Sequence, residues 1–98
     1  MTYYDRLYDE TEQSQVRFVG FTSETTRYDF AIVYTNMFFG KALVVDMQMG
    51  RSALLSVDDI DNVDYLQRYF HIKDDEEMEA LAVFFKSILP VLPQENQY

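Results

Sequence analysis

Apolar and polar side chains alternate along the first third of the chain. In residues 15–21, Val16, Phe18 and Gly20 alternate with Arg17, Val19 and Phe21, and in residues 27–35 every second side chain is large and apolar. Both patterns are typical of β-strands. The polar run at residues 22–26 predicts a tight turn between the two strands. In the second strand one face would carry Tyr28, Phe30, Ile32 and Tyr34, and the other Asp29, Ala31 and Val33.

Residues 38–55 form the most apolar stretch and predict a β-hairpin. Its first strand would run from Phe38 to Met47 and its second from Ser52 to Leu55, with Gly50 in the turn because glycine tolerates positive φ. Three short connections in succession favour an antiparallel meander, since parallel pairs need a long crossover.

The spacing becomes helical after residue 55. Ser56 precedes Asp59 by three residues, as in a capping box, and Asp74 precedes Glu77 in the same way. Pro90 would end the second helix. We therefore predict an α+β fold in which a four-stranded antiparallel meander sheet is followed by two C-terminal helices packed on the sheet. The apolar positions of these helices are Ile60, Val63, Leu66 and Phe70, and then Met78, Leu81, Ala82, Phe85, Ile88 and Leu89.

The length of 98 residues fits one domain. We assign residues 1–13 to an N-terminal arm, residues 14–92 to the α+β domain and residues 93–98 to a flexible tail. The arm carries Tyr3, Tyr4, Leu7 and Tyr8. Its pattern fits either one helical turn or an extended segment lying over the sheet, and both alternatives remain open.

The formal net charge is −9, and it is unevenly distributed. Residues 57–79 hold nine acids against Arg68 and Lys73, which gives −7. This charge disfavours nucleic acid and anionic membranes as partners. The chain has no cysteine and no apolar run long enough to span a membrane. Because its N-terminus also lacks the pattern of a secretory signal, we expect a cytoplasmic protein.

Four aspartates, at positions 58, 59, 61 and 64, form the densest acidic cluster. An EF-hand loop that started at Asp59 would need an oxygen ligand where Val63 stands and a glutamate where Phe70 stands. The motif fails, so helix capping and a solvated face explain the cluster. We expect no metal and no cofactor.

No catalytic constellation is evident. His71 is the single histidine, and it lacks a Cys, Ser or second His at a suitable spacing. Gly40 and Lys41 lack the glycine frame of a P-loop. Lys41, Arg51 and Ser52 remain weak candidates for an anion site. We predict no catalytic residues and no enzymatic activity.

Both faces of the predicted sheet are apolar. We place Val16 and Phe18 beside Tyr28, Phe30 and Ile32, together with Leu43 and Val45. The opposite face then carries Ala31 and Ala42 as well as a predicted interaction surface formed by Val19, Phe21, Val33 and Val44. The tyrosine-containing arm, one of the helices or another copy of the chain would cover it, because such a patch is unusual on a monomer.

Several segments resemble a small uncharacterised protein family of Gram-positive Firmicute bacteria. They are Leu-Tyr-Asp-Glu-Thr-Glu at residues 7–12, Val-Arg-Phe-Val at 16–19, Arg-Tyr-Asp-Phe-Ala-Ile at 27–32, Phe-Gly-Lys at 39–41, Gly-Arg-Ser-Ala at 50–53 and Asp-Asp-Ile at 58–60. The resemblance covers most of residues 7–85, and Gly-Arg-Ser-Ala is its most specific part. It implies a cytosolic bacterial protein, and it supplies no activity and no catalytic residues.

Three hypotheses about function follow. The first is a non-enzymatic protein-interaction or self-associating module, either a homodimer or a binder of another protein. The second is an acidic mimic of nucleic acid that blocks a basic protein surface, and it rests on the charge of residues 57–79. The third is a small-ligand or enzymatic site at which Lys41, Arg51 and His71 converge.

Overall fold

The computed structural model describes residues 4–91, which form one antiparallel sheet with the helices on one of its faces. The sheet order is β1-β2-β3-β4, each strand lying beside the next in the chain. The strands are β1 (Gln15–Thr22), β2 (Arg27–Tyr34), β3 (Ala42–Asp46) and β4 (Arg51–Leu55), and a 3₁₀ turn (Val57–Asp61), α1 (Val63–Tyr69) and α2 (Asp75–Ile88) follow. The predicted fold class, a four-stranded meander followed by two helices, is confirmed.

Both predicted capping signals mark the start of a helical segment. The Asp59 carboxylate accepts hydrogen bonds from the backbone N–H of Ser56 at 2.8 Å and from its hydroxyl at 3.1 Å. Asp74 accepts from the backbone N–H of Glu77 at 2.8 Å. The first predicted helix is divided, however, because Asn62 has a non-helical backbone conformation that separates the 3₁₀ turn from α1.

The third strand begins four residues later than the sequence predicts. Phe38, Phe39 and Gly40 have φ angles of 55°, 68° and 81°, which lie in the left-handed region and are incompatible with a strand. We call residues 38–40 the diphenylalanine turn. It makes the β2–β3 connection long, and Ala42 is the first residue of β3.

The strand register corrects the predicted assignment of the two faces. Directly paired residues of antiparallel strands point to the same side of a sheet. Val19 pairs with Phe30, and Phe21 pairs with Tyr28. Val44 pairs with Ile32. Val19, Phe21 and Val44 therefore lie on the helix-covered side, so their predicted placement on the opposite face, as part of an interaction surface, is wrong.

The core lies between this side of the sheet and the helices, around Phe30. The Phe30 ring meets the rings of Phe70 and Phe85 edge-on, with centroids 5.8 and 5.2 Å away. Since Phe70 follows α1 and Phe85 belongs to α2, both helices pack on the same face of the sheet. The most completely buried core side chains are Phe30, Ile32, Val44, Ile60 and Met78.

The N-terminal arm is tied to the β2–β3 connection. Residues 4–14 form neither helix nor strand, so the helical alternative is wrong for the part of the arm described. Glu12 accepts hydrogen bonds of 2.6 Å from the Thr35 hydroxyl and the Asn36 N–H. The Tyr8 ring meets Phe38 edge-on, at a centroid distance of 6.5 Å. Tyr3 and the predicted tail at residues 93–98 lie outside the described residues.

Candidate interaction surface

The sheet side opposite the helices carries two rows of side chains that cross all four strands. The register places Val16, Val33, Leu43 and Leu54 in the first row. Phe18, Ala31, Val45 and Ser52 form the second. We call these eight residues the open face. Seven of the eight are apolar, so the open face forms a hydrophobic surface two residues deep and four strands wide.

Much of this surface is accessible to solvent. The side chain of Phe18 is 72% exposed. Val16 and Leu54 are exposed at the sheet edges, and Val33, Leu43 and Val45 are half-buried among their neighbours. Full burial of one such side chain is worth about 1.5–3 kcal/mol. A continuous apolar surface of this kind on a single chain is typical of an interaction site.

Polar residues bound the open face at the end nearest the β1–β2 turn. Asp29 forms an ion pair with Arg27 at 2.9 Å and accepts a hydrogen bond from the side-chain amide of Gln48. The bonds from Gln48 and Arg27 lower the pKa of Asp29. Because the charges of Arg27 and Asp29 cancel, the side of the strands that carries the open face has no net charge.

Exposed aromatic side chains lie beyond the other end of the open face. The diphenylalanine turn lies in the connection between β2 and β3, the strands that carry Val33 and Leu43. Phe39 is 89% exposed, and Phe38 is also exposed beside Tyr8. The connection between β2 and β3 therefore adds exposed aromatic side chains at this end of the sheet.

A groove with a volume of about 520 Å³ lies between the β1–β2 turn and the start of α2. Phe21, Tyr28 and Leu81 contribute apolar walls. Its acidic lining residues are Glu24, Asp74, Glu76 and Glu77. Burial and the hydrogen bond to Glu77 raise the pKa of Tyr28. The groove lies on the helix side of the sheet and is separate from the open face.

The weak anion-site candidates are not brought together. Lys41 lies just before β3 and pairs with Asp59 at 3.0 Å. Arg51 is the first residue of β4 and stands opposite Asp46, at the far end of β3, in the strand register; its guanidinium lies 5.6 Å from the Tyr69 ring centroid. Ser52 belongs to the open face. Because Lys41 lies beside Asp59, Arg51 beside Tyr69 and Ser52 on the open face, these residues form no common anion site.

His71 is also distant from the other two residues of the predicted small-ligand site. It follows α1 with a φ of 56° and lines a shallow cavity with Asp64, Gln67 and Arg68. Neither Lys41 nor Arg51 lines that cavity. The convergence of Lys41, Arg51 and His71 on which the third hypothesis depended is therefore not found.

The aspartate cluster serves the ends of helical segments. Asp61 pairs with Lys86 at 3.0 Å, and Asp59 with Lys41 at the same distance. Burial alone would raise the pKa of Asp59, but the hydrogen bonds from Ser56 and Lys41 outweigh it and lower the pKa. Within residues 4–91, no group of three His, Cys, Asp or Glu residues is arranged to hold a metal ion.

Of the four predicted surface residues, only Val33 lies on the open face. Sequence reasoning missed Phe18, Leu43, Val45 and Leu54, which it placed against the core or left unassigned. The length of the first turn could have identified Phe18 as a residue of the open face. Because four residues separate Thr22 from its partner Arg27, even-numbered residues of β1 lie opposite odd-numbered residues of β2. Phe18 therefore pairs with Ala31.

A model of the SAV0927-like family matches residues 7–87. The chain therefore belongs to this family, whose function is unknown. No curated protein matches the chain. Over the described part of the sequence, no helix is both long enough and apolar enough to cross a membrane.

Proposed function

We propose that this member of the SAV0927-like family is a non-enzymatic protein-interaction module that binds protein through the open face. The proposal includes a cytoplasmic location in a Firmicute bacterium, the setting that the resemblance of residues 7–12 and 50–53 implies. One observation carries it: two rows of mostly apolar side chains cross all four strands on the side that the helices leave uncovered.

The exposure of Phe18 supports this proposal. A phenylalanine on the solvent side of a strand forgoes about 1.5–3 kcal/mol of burial. A lone exposed apolar residue needs no explanation, but Phe18 lies beside Val16, Ala31 and Val33 in a continuous surface. Aromatic residues in such a setting are frequent anchors of protein interfaces.

The ionisable side chains support a role without catalysis. Lys41 and Lys86 pair with aspartates of the helix layer, and Glu77 accepts the hydroxyl of Tyr28. Each of these bonds joins two elements of the fold. A catalytic site instead needs a nucleophile, a base and an orienting group within reach of one another.

The test is site-specific photo-crosslinking in the native host. A photoreactive phenylalanine analogue replaces Phe18 in one variant and Val83 in a control. The two positions are matched, because Phe18 is 72% exposed and Val83 is 70% exposed. Val83 belongs to α2, in the layer on the opposite side of the sheet.

We expect protein adducts at position 18 and at most background at position 83. Adducts to another copy of the chain or to a different protein both satisfy this expectation. Equal yields at the two positions would refute the open face as the binding surface.

A second candidate function is binding of a basic protein surface by the acidic helix layer, as a mimic of nucleic acid would bind. The groove beside α2 favours it, since four carboxylates surround its apolar walls. Such binding would weaken steeply with salt. Replacing Glu24 and Glu76 with glutamine would weaken the binding of a basic protein surface, whereas Phe18→Glu would leave this binding unchanged.

A further inference from the structure

We propose that the open face binds the open face of a second copy of this chain, and that the two copies are related by a two-fold axis. This inference rests on the proposed function, since it names the partner of the same surface. Two sheets would then stack about 10 Å apart with their apolar side chains between them. A two-fold pair is also the commonest closed arrangement of identical chains.

The charge distribution favours a second copy over a basic partner. Residues 57–79 carry a net charge of −7 and belong to the helix layer and its connections, on the far side of the sheet. The strand side that carries the open face holds Arg27 and Asp29, whose charges cancel. Face-to-face pairing therefore keeps the two acidic layers apart and brings neutral surfaces together. A basic partner would find its complementary charge on the helices instead.

The open face alone is smaller than a standard protein interface, so a stable pair must also bury side chains outside it. The eight residues of the open face, about 4.8 Å apart between strands and about 6.8 Å apart along a strand, cover roughly 260 Å² in projection. A standard interface buries about 800 Å² on each partner. The pair therefore needs further apolar side chains, and the diphenylalanine turn supplies exposed ones in the connection between the strands that carry Val33 and Leu43. We include Phe39 in the interface for this reason.

The backbone of Phe39 supports its inclusion. Its φ of 68° is unfavourable for a bulky side chain and suits asparagine or glycine. Its ring is 89% exposed, so packing within the chain does not account for a phenylalanine there. Contact with a second copy does account for it, and strained residues of this kind are common at functional surfaces.

The test is sedimentation velocity of the full purified chain over a concentration series, for the parent and two glutamate variants. We expect the parent to be a dimer at high concentration and to dissociate on dilution. Phe18→Glu buries a charge in the apolar interface and should raise the dimer Kd by about 30-fold or more, the effect of a hot-spot residue. Val83→Glu adds the same charge at a matched exposed position and should leave Kd nearly unchanged.

A third variant separates association from folding. Phe39→Asn removes the ring but suits the local backbone, so it should raise the dimer Kd by about tenfold while the dilute monomer melts no lower than the parent. Circular dichroism of each variant at low concentration checks that it is folded. If Phe18→Glu were unfolded, Phe39→Asn and the milder Leu54→Ser would take its place.

A parent that stays monomeric up to about 1 mM would refute self-association. If position 18 still crosslinked to a different protein in the host, the proposed function would stand and only this inference would fail. A parent dimer disrupted by Val83→Glu and not by Phe18→Glu would also refute it, because the copies would then associate through the helix layer.

Discussion

The hydroxyl of Tyr28 donates a hydrogen bond of 2.6 Å to the carboxylate of Glu77, and this bond joins β2 to α2. The same oxygen accepts the backbone N–H of Lys73 at 3.2 Å. The Tyr28 hydroxyl thus donates to Glu77 and accepts from the Lys73 N–H, and both bonds hold the start of α2 against the sheet.

Tyr28→Phe should lower the free energy of unfolding by about 1–2 kcal/mol, because Glu77 and the Lys73 N–H both lose a partner in a partly buried place. Urea denaturation measures the change. Tyr65→Phe is the control: Tyr65 is exposed, its hydroxyl has no hydrogen-bond partner among the described residues, and its removal should change stability by less than about 0.5 kcal/mol. Equal effects of the two variants would show that the bond to Glu77 does not stabilise the fold.

The carboxylate of Asp59 should make stability depend on pH in the acid range. Its pKa is lowered from an ordinary value of 3.8. A carboxyl group with a depressed pKa contributes stability above its unfolded-state pKa, and the contribution is lost as pH falls through the folded-state pKa. Asp59→Asn should therefore be less stable than the parent at pH 7, and this difference should shrink below pH 3.8.

Chemical denaturation between pH 7 and acid conditions measures that difference. At neutral pH we expect about 1 kcal/mol, a modest value because the Asp59 side chain is 34% exposed. Asp58→Asn is the neighbouring control, since Asp58 is exposed and belongs to the same 3₁₀ turn. A difference between Asp59→Asn and the parent that grew toward low pH would contradict the assigned hydrogen bonds.

Phe39→Asn should raise the stability of the dilute monomer by about 0.5–1 kcal/mol, because asparagine tolerates the left-handed conformation better than phenylalanine. This corresponds to a rise in Tm of roughly 2–8 °C for a domain of this size. Phe39→Ala is the control, since it removes the ring but keeps a Cβ that disfavours positive φ. Equal melting temperatures for the two variants would mean that the backbone at residue 39 is not strained.

Local signals in the sequence located the helices well. Asp74 predicted the start of α2 and Pro90 its end, and α2 spans Asp75–Ile88. Such signals succeed because a cap or a proline acts on backbone groups within one turn of itself. The short connections expected from the sequence likewise predicted the order of the strands, although the β2–β3 connection is longer than expected.

The pairing register of the strands was predicted less accurately than the helix boundaries. Because side chains alternate with a period of two, an error of one residue in a connection moves a whole strand set to the other face. The diphenylalanine turn delays β3 to Ala42, and this shift reversed the assignment of Val44. In β1 the pattern was ambiguous, since Val16 and Phe18 are as apolar as Val19 and Phe21.

The candidate site depended on that register, so little of it was predicted. Val33 was placed correctly, but Phe18 was assigned to the core side. Arg17 illustrates the difficulty: it lies on the helix-covered side, with its guanidinium 6.0 Å from the Phe84 ring centroid. A long side chain can pass over an aromatic ring and keep its charge at the surface, so charge alone did not identify the solvent side of β1.

Single-thiol labelling tests most directly whether protein covers the open face. The chain has no cysteine, so Val33→Cys and Val83→Cys each carry one thiol, on the open face and on α2 respectively. The measurement is the ratio of their maleimide reaction rates, first in dilute purified protein and then in concentrated extract of the native host. We predict that the rate at position 33, relative to position 83, falls at least about tenfold in the extract, since burial at an interface excludes water and reagent. An unchanged ratio would contradict the open face as a binding surface.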